Sequence, residues 1–282
     1  MSASTKCVKL TYTNEFEDWT IVTPRRGKHK KRVVPRIESM DEEPWVPNDL
    51  DIDPERESKL IQKMQACIAR LEKSDFYTAC LDQIQTPQVL DHISRILSSE
   101  SKMQMVIYGI GSIDSYETPR LQLSLAILIK RRFDWIGDIE VFDPILSTTE
   151  IKVLEALGCS VLRINEQGRR QAFKPTMFFM PHCEAVLYDN LLKVNWQAEF
   201  LNQMVVFGNS FETYEQYISM SKNSIIEDSA KFILGARKFS VEVGIEIVSD
   251  EFFRPFHDSS WHFFKVDSQL EVELQALMHT EA

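Results

Sequence analysis

Residues 103–144, MQMVIYGIGSIDSYETPRLQLSLAILIKRRFDWIGDIEVFDP, set the architecture of the chain. A short apolar run, MQMVIY, ends in Gly109-Ile110-Gly111-Ser112. A long segment follows in which Leu121, Leu125, Leu128 and Ile129 recur at the spacing of one helix face. A second apolar run, DIEVF, then ends in Asp143-Pro144. Strand, glycine turn, helix and strand in that order make a βαβ unit, which lays its two strands side by side and parallel. Thr118 and Pro119 supply a capping residue and a first-turn proline, so the helix is expected to start there.

Outward from this unit the alternation continues. Ser147-Thr148-Thr149-Glu150 reads as a capping box opening a helix that Gly158 closes, followed by the strand CSVLRI. Further strands are TMFFM, MVVF and, near residues 241–247, VEVGIEI. After Gly208-Asn209-Ser210, Phe211, Tyr214 and Ile218 point one way, and Ser224 to Glu227 caps a helix with Ile226, Ala230, Ile233 and Leu234 inward. Short apolar strands alternating with helices predict an α/β fold, a Rossmann-like mostly parallel sheet with helices on both faces. The aromatic residues Phe252, Phe253, Phe256, Trp261, Phe263 and Phe264 read as a strand or turn packed onto the core.

Upstream, Asp53 and Pro54 form an N-cap pair, and Leu60, Met64, Cys67, Ile68 and Leu71 recur at helical spacing over residues 54–73. Thr86 and Pro87 start another helix with Leu90, Ile93 and Leu97 on one face. Residues 53–100 are therefore expected to be a helical extension of a domain spanning 101–282, with Cys67 and Cys80 in its core. Residues 1–52 carry too little apolar surface to offset chain ordering and are expected to be a disordered tail. Apolar patches at Trp19–Val22 and Trp45 are the parts of it suited to docking. Seven Lys or Arg in RRGKHKKRVVPR, residues 25–36, fit either a nuclear-import or phosphate-binding patch or a solvated tail balanced by the acidic run that follows.

The formal net charge of −10 disfavours nucleic acid and anionic membrane surfaces as direct partners. Five widely spaced cysteines without a C-x-x-C pair signal no disulfide framework and imply a reducing compartment. No apolar run approaches the roughly 20 residues needed to cross a bilayer, which leads to an expectation of a soluble protein of cytosol or nucleus.

In open α/β sheets, ligands sit beyond the carboxyl ends of the strands, where helix N-termini present unpaired N–H groups. Four segments end at that edge: Gly109-Ile110-Gly111-Ser112, Asp143-Pro144, Met180-Pro181-His182-Cys183-Glu184 and Gly208-Asn209-Ser210. The G-x-G lets the backbone approach a ligand closely, but Asp114 stands at the third glycine position of a dinucleotide fingerprint. Asp143 stands where a ribose-hydroxyl acceptor would, 32 residues after Gly111 rather than about 20. A nucleotide or S-adenosylmethionine-like ligand is one reading, and a packing glycine pair with an Asp-Pro turn is the other. His182 and Cys183 fit a structural loop, a ligand-site histidine or a nucleophilic cysteine. As a metal site the dipeptide is incomplete, since zinc takes four ligands and His257 and His262 are the only other histidines within topological reach. Ligand-binding candidates are thus Gly109, Gly111, Ser112, Asp143, His182, Asn209 and Ser210, and catalytic candidates Asp143, His182 and Cys183. Tyr188, Asn190, Asn195 and Trp196 in YDNLLKVNW suit bracing of two loops as well as substrate binding.

Taken in order, VIYGIGSIDSYETPRLQLSLAILI, VFDPILSTTEIKVLEALGCSVL, INEQGRR, TMFFMPHCEAVLYDNLLKVNW and VVFGNSF resemble the family named "sensitivity to red light reduced", over roughly residues 100–210 and weakly in EDWTIVTPRRG. The stretch M-P-H-C with its downstream N-W, and G-N-S-F, carry most of the likeness. The resemblance implies a plant-type regulator of red-light signalling through phytochrome and of circadian clock input and flowering time, in cytoplasm and nucleus, with signalling proteins as partners. Through fungal and animal relatives it also implies links to haem biosynthesis and cytoskeletal stability. No settled catalytic set accompanies it. The motif positions it transfers are Gly109, Gly111, Ser112, Asp143, Pro144, His182, Cys183, Asn195, Trp196, Asn209 and Ser210. Cofactors compatible with the resemblance and the loops are a nucleotide, S-adenosylmethionine or haem, the last through His182 and Cys183 as axial ligands. The rival to a regulator is a nucleotide- or S-adenosylmethionine-dependent enzyme, or a haem-linked factor of tetrapyrrole metabolism.

Overall fold

Side chains alternate between two cores along every central strand of the computed structural model, which describes residues 44–47, 49–51, 53–221, 230–267, 270–272 and 274. In β1 (Met103–Tyr108), Met105 and Ile107 enter one core while Val106 and Tyr108 enter the other. The same division holds in β4 (Thr176–Met180), between Met177 and Phe179 on one face and Phe178 and Met180 on the other. A strand buried on both faces needs a continuous apolar run, which is what these segments supply.

The remaining strands are β2 (Ile136–Phe142), β3 (Cys159–Val161), β5 (Met204–Asn209), β6 (Ser240–Gly244) and β7 (Ser259–Phe264). They form one seven-stranded sheet in the order β3-β2-β1-β4-β5-β7-β6. β1 to β5 pair in parallel, and β7 runs antiparallel to both β5 and β6. The fold is α/β and Rossmann-like, as expected.

On one face lie α1 (Pro54–Glu72), α2 (Asp75–Ile84), α3 (Pro87–Leu97), α4 (Glu117–Arg132) and α5 (Thr148–Ala156). Asp53 caps α1 by accepting from the N–H groups of Glu55 and Arg56, and Thr86 caps α3 through Val89. Phe76 of α2 stacks on Phe252 and Phe256 at 5.3 and 4.6 Å, so the three N-terminal helices share the core of the sheet. The opposite face is covered by α6 (Ala185–Val194), α7 (Ala198–Leu201) and α9 (Lys231–Ala236), and α8 (Phe211–Ser221) follows β5. A short α10 (Phe253–Phe256) precedes β7.

Several expectations shift in detail. α4 starts at Glu117 with Tyr116 as its uncapped N-cap, two residues ahead of Pro119. α2, capped by Ser74, is an additional helix. VEVGIEI is a strand only as far as Gly244, and part of the aromatic run forms β7, which inserts between β5 and β6. The capping box at Ser147 and Glu150 is present, and Gly158 closes α5 with φ +83°. Residues 1–43, with the basic run and the Trp19–Val22 patch, and the Ser224–Glu227 cap lie outside the described residues. Trp45 is described: its N–H donates to Arg163 O at 2.6 Å and its ring meets Phe142 edge-on at 5.3 Å.

Candidate functional site

The strand order reverses between β1 and β4, because the crossover leaving β1 travels toward β2 and the one leaving β4 travels toward β5. The two following loops diverge there and leave a cleft at the carboxyl edge of the sheet. Its volume is about 450 Å³, and Gly109, Phe142, Asp143, His182, Cys183 and Glu184 are among its walls. That size falls within the roughly 300–1,000 Å³ of small-molecule sites.

Gly109 has φ +64°, and an ideal Cβ there would lie 2.6 Å from Cys183 Sγ. The thiol fills the space of the missing side chain and donates to Tyr108 O at 3.1 Å. Gly111, with φ +77°, donates its N–H to Asp143 Oδ2 at 2.8 Å, which ties the first loop to the second. The other oxygen of Asp143 accepts from Ile145 N–H at 3.0 Å. Asp143 is buried, and that burial raises its pKa against the opposing effect of the two N–H donors.

Ser112 is not among the residues lining the cleft and donates to Glu150 Oε1 at 2.7 Å. The same oxygen accepts from Asp114 N–H at 3.1 Å, while Oε2 accepts from the N–H and hydroxyl of Ser147. Asp114, at the third-glycine position, pairs with Arg56 of α1 at 2.6 Å.

His182 adopts φ +58°, a left-handed conformation for a residue with a Cβ, and is held there by its N–H, which donates to Asn209 Oδ1 at 2.6 Å. Both ring nitrogens are engaged. Nε2 lies 3.1 Å from His257 O and must donate, so Nδ1 is left to accept from the Gln122 amide at 3.3 Å. Part of the residue is exposed, but the ring is crowded by His257, whose centroid is 4.5 Å away. Burial and that neighbour hold the His182 pKa near 4, so the ring is neutral at pH 7. Burial raises the Cys183 thiol above its ordinary range, with Asp143 and Glu184 acting in the same direction. The thiol is thus kept protonated, the reverse of the electropositive setting that activates a nucleophile.

Asn209 stands one layer behind the cleft. Its Oδ1 also lies 3.1 Å from the Tyr188 hydroxyl, and its Nδ2 donates to Cys183 O and to Tyr214 Oη. Tyr188 donates to Met180 O and accepts from Asn209 N–H, and its ring passes over Gly208, where a Cβ would collide with it. Ser210 caps α8 by accepting from Thr213 N–H at 3.1 Å. Asn195 and Trp196 lie away from the cleft: Asn195 bonds Ala172 N–H, Arg170 O and Leu191 O, each at 2.8 Å, and Trp196 Nε1 donates to Leu274 O. Gly109, Asp143, Pro144, His182 and Cys183 thus reach the cleft, while Gly111, Ser112, Asn209 and Ser210 support it.

The model of the SRR1 domain matches residues 83–263. This chain belongs to the SRR1 domain family. It is 51% identical over 94% of its length to "Protein SENSITIVITY TO RED LIGHT REDUCED 1" of Arabidopsis thaliana, of which 98% is covered. A mouse "SRR1-like protein" is 33% identical over 71% of the chain and 88% of the relative. Among solved structures, the plantazolicin methyltransferase BpumL in complex with pentazolic desmethylPZN analog and SAH is 12% identical over 76% of this chain and all of that one, with a TM-score of 0.30, from which nothing about cofactor or activity follows.

Tyr108, Gln167 and Gly168 of this SRR1 domain reach the cleft and are not among the sequence candidates, whereas Asn190, which is, lines it as well. Tyr108 donates its hydroxyl to Glu166, whose Oε1 pairs with Arg170 at 2.7 Å, and Arg170 also pairs with Glu140. Gln167 and Gly168 both have positive φ, and Asn190 holds the turn by donating to Gln167 O at 2.9 Å. The Q-G dipeptide in INEQGRR was the available signal, since Gly168 permits a turn that passes within 2.8 Å of Leu187 O at the Cβ position. Among the described residues no group of three His, Cys, Asp or Glu side chains could hold a metal ion, and no helix is long and apolar enough to cross a membrane.

Proposed function

We propose that this chain is a regulatory protein of red-light signalling through phytochrome and of circadian clock input, working in cytoplasm and nucleus through a signalling partner or a small ligand held at the strand-end cleft. Identity of 51% across nearly the whole of the Arabidopsis relative supports the biological role. The observation that carries the molecular part is that each candidate reactive group of the cleft is already committed to an internal bond. Both ring nitrogens of His182 have partners, the Cys183 thiol donates to Tyr108 O, and each Asp143 oxygen holds a backbone N–H. A cleft whose polar groups are fixed in place is preorganised to bind, and none of these groups is free to move a proton without breaking the brace that positions it.

A second reading, an S-adenosylmethionine- or nucleotide-dependent enzyme, draws on one feature, the placing of Asp143 beside a cleft at the switch point of the sheet. Haem ligation is the reading the geometry supports least, since an axial bond through the lone pair of Nδ1 would displace His182 from Gln122, and one through the thiol would displace Cys183 from Tyr108 O. The test is complementation: Arabidopsis plants lacking the relative are given this chain, and seedling elongation in red light is measured. Restored sensitivity is expected. Failure at a normal protein level would contradict the regulatory role, and steady turnover of S-adenosylmethionine by the purified protein would favour the enzyme.

A further inference from the structure

Phosphate groups are held in α/β folds by helix N-termini at the strand-end edge. In this chain those positions are taken by its own carboxylates. Asp114 lies in the loop before α4 and Glu117 in its first turn. Glu150 occupies the N-terminus of α5, accepting from Ser147 and from Asp114 N–H. Glu184 is the N-cap residue of α6.

The lining of the cleft repeats the pattern. Its charged side chains among the described residues are Asp143 and Glu184, and no Lys or Arg is among them. Glu184 is exposed and makes no ion pair among the described residues, and Asp143, 6% exposed, is bonded only to backbone N–H groups. Arg170, two residues beyond Gly168 of the lining, is consumed by Glu166 and Glu140, and Arg169, next to Gly168, is exposed and outside the lining. The lining also includes the apolar residues Phe142, Pro144, Val186 and Leu187, from the same two segments that carry the carboxylates. A phosphate placed here would meet two carboxylates and no cation among the lining residues, whereas a hydroxyl or a positive centre would find acceptors beside apolar side chains.

We propose that the cleft selects an uncharged or positively charged ligand bearing hydroxyl or amine donors, of nucleoside type, and rejects its phosphorylated counterpart. This rests on the reading of the cleft as a ligand site. It narrows the ligand class to molecules that present donors to Asp143 and Glu184 and an apolar ring to Phe142 and Val186.

The test titrates the full chain with adenosine, S-adenosylmethionine, AMP and ATP, following cleft resonances by NMR and affinity by calorimetry. Adenosine or S-adenosylmethionine should bind, with AMP and ATP at least about tenfold weaker. Glu184→Lys, a change at an exposed position, should narrow that gap. AMP or ATP binding as tightly as adenosine would overturn the selectivity while leaving the cleft a ligand site. If none of the four perturbs the cleft resonances, the ligand-site reading falls, and this inference falls with it.

Discussion

Cys183 Sγ sits in the volume that a Cβ on Gly109 would need, 2.6 Å from where that carbon would be, and donates from there to Tyr108 O. The residue pair therefore locks the first loop against the third. It turns an apparent phosphate loop and an apparent nucleophile into one packing unit.

Gly109→Ala should destabilise the protein by about 2–4 kcal/mol, the sum of roughly 1–2 for a left-handed alanine and the cost of moving a buried, hydrogen-bonded thiol. Because the two residues touch, Gly109→Ala and Cys183→Ala together should cost less than the sum of the single changes, by about 1 kcal/mol. Chemical denaturation of the four proteins in the cycle measures this. Strict additivity would refute the contact.

Asn195 is fully buried and satisfies three backbone groups across two segments, so its role is to hold residues 170–172 against α6. Asn195→Ala should cost about 2–4 kcal/mol, because it strands buried donors and acceptors. The folded fraction should retain the cleft's ligand affinity. A loss of affinity in protein shown to be folded would place Asn195 in the site after all.

The pH dependence of stability carries opposing contributions. His262 is fully buried, donates Nε2–H to Asn209 O at 3.0 Å and stacks on Phe211 at 3.8 Å, and burial holds it well below its ordinary pKa of 6.5. The unfolded chain then binds a proton first, so this contribution is complete above about pH 6.5 and declines as the pH falls below it. His182, near 4, acts in the same direction. Asp189 and Asp258, raised by burial to about 6 from 3.8, act oppositely, since the folded state keeps their protons longer and stability falls as the pH rises between those values. His262→Asn should therefore make the slope of unfolding free energy against pH less positive between about pH 4 and 6.5. Denaturation midpoints at about pH 5, 6 and 7 test it, and an unchanged slope would count against a neutral buried ring.

Much of the fold could be read from residues 103–210, because parallel strands buried on both faces leave continuous apolar runs and their helices carry caps such as Ser147 with Glu150. β7 was harder to read. All six of its residues are buried, so it shows no alternation of apolar and polar residues, and its place between β5 and β6 depends on a return of the chain that no local signal records. At the site, the loops could be located from Gly109, Asp143 and His182, but the partners of their polar groups could not. That Asp143 accepts from Gly111, or that Asn209 bonds to His182, depends on contacts across 32 and 27 residues of chain. Spacing alone therefore left both binding and bracing open, and Asn195 and Trp196, prominent in the family resemblance, prove to serve bracing.

The central claim is that the cleft between the loops after β1 and β4 is the working surface. Val186 lines it and is 45% exposed, so Val186→Trp should fill the cleft without disturbing the core. The decisive measurement is red-light sensitivity in Arabidopsis plants lacking the relative and expressing either this chain or Val186→Trp at matched protein levels. The original chain should restore the response and the filled variant should not; full restoration by Val186→Trp would contradict the account.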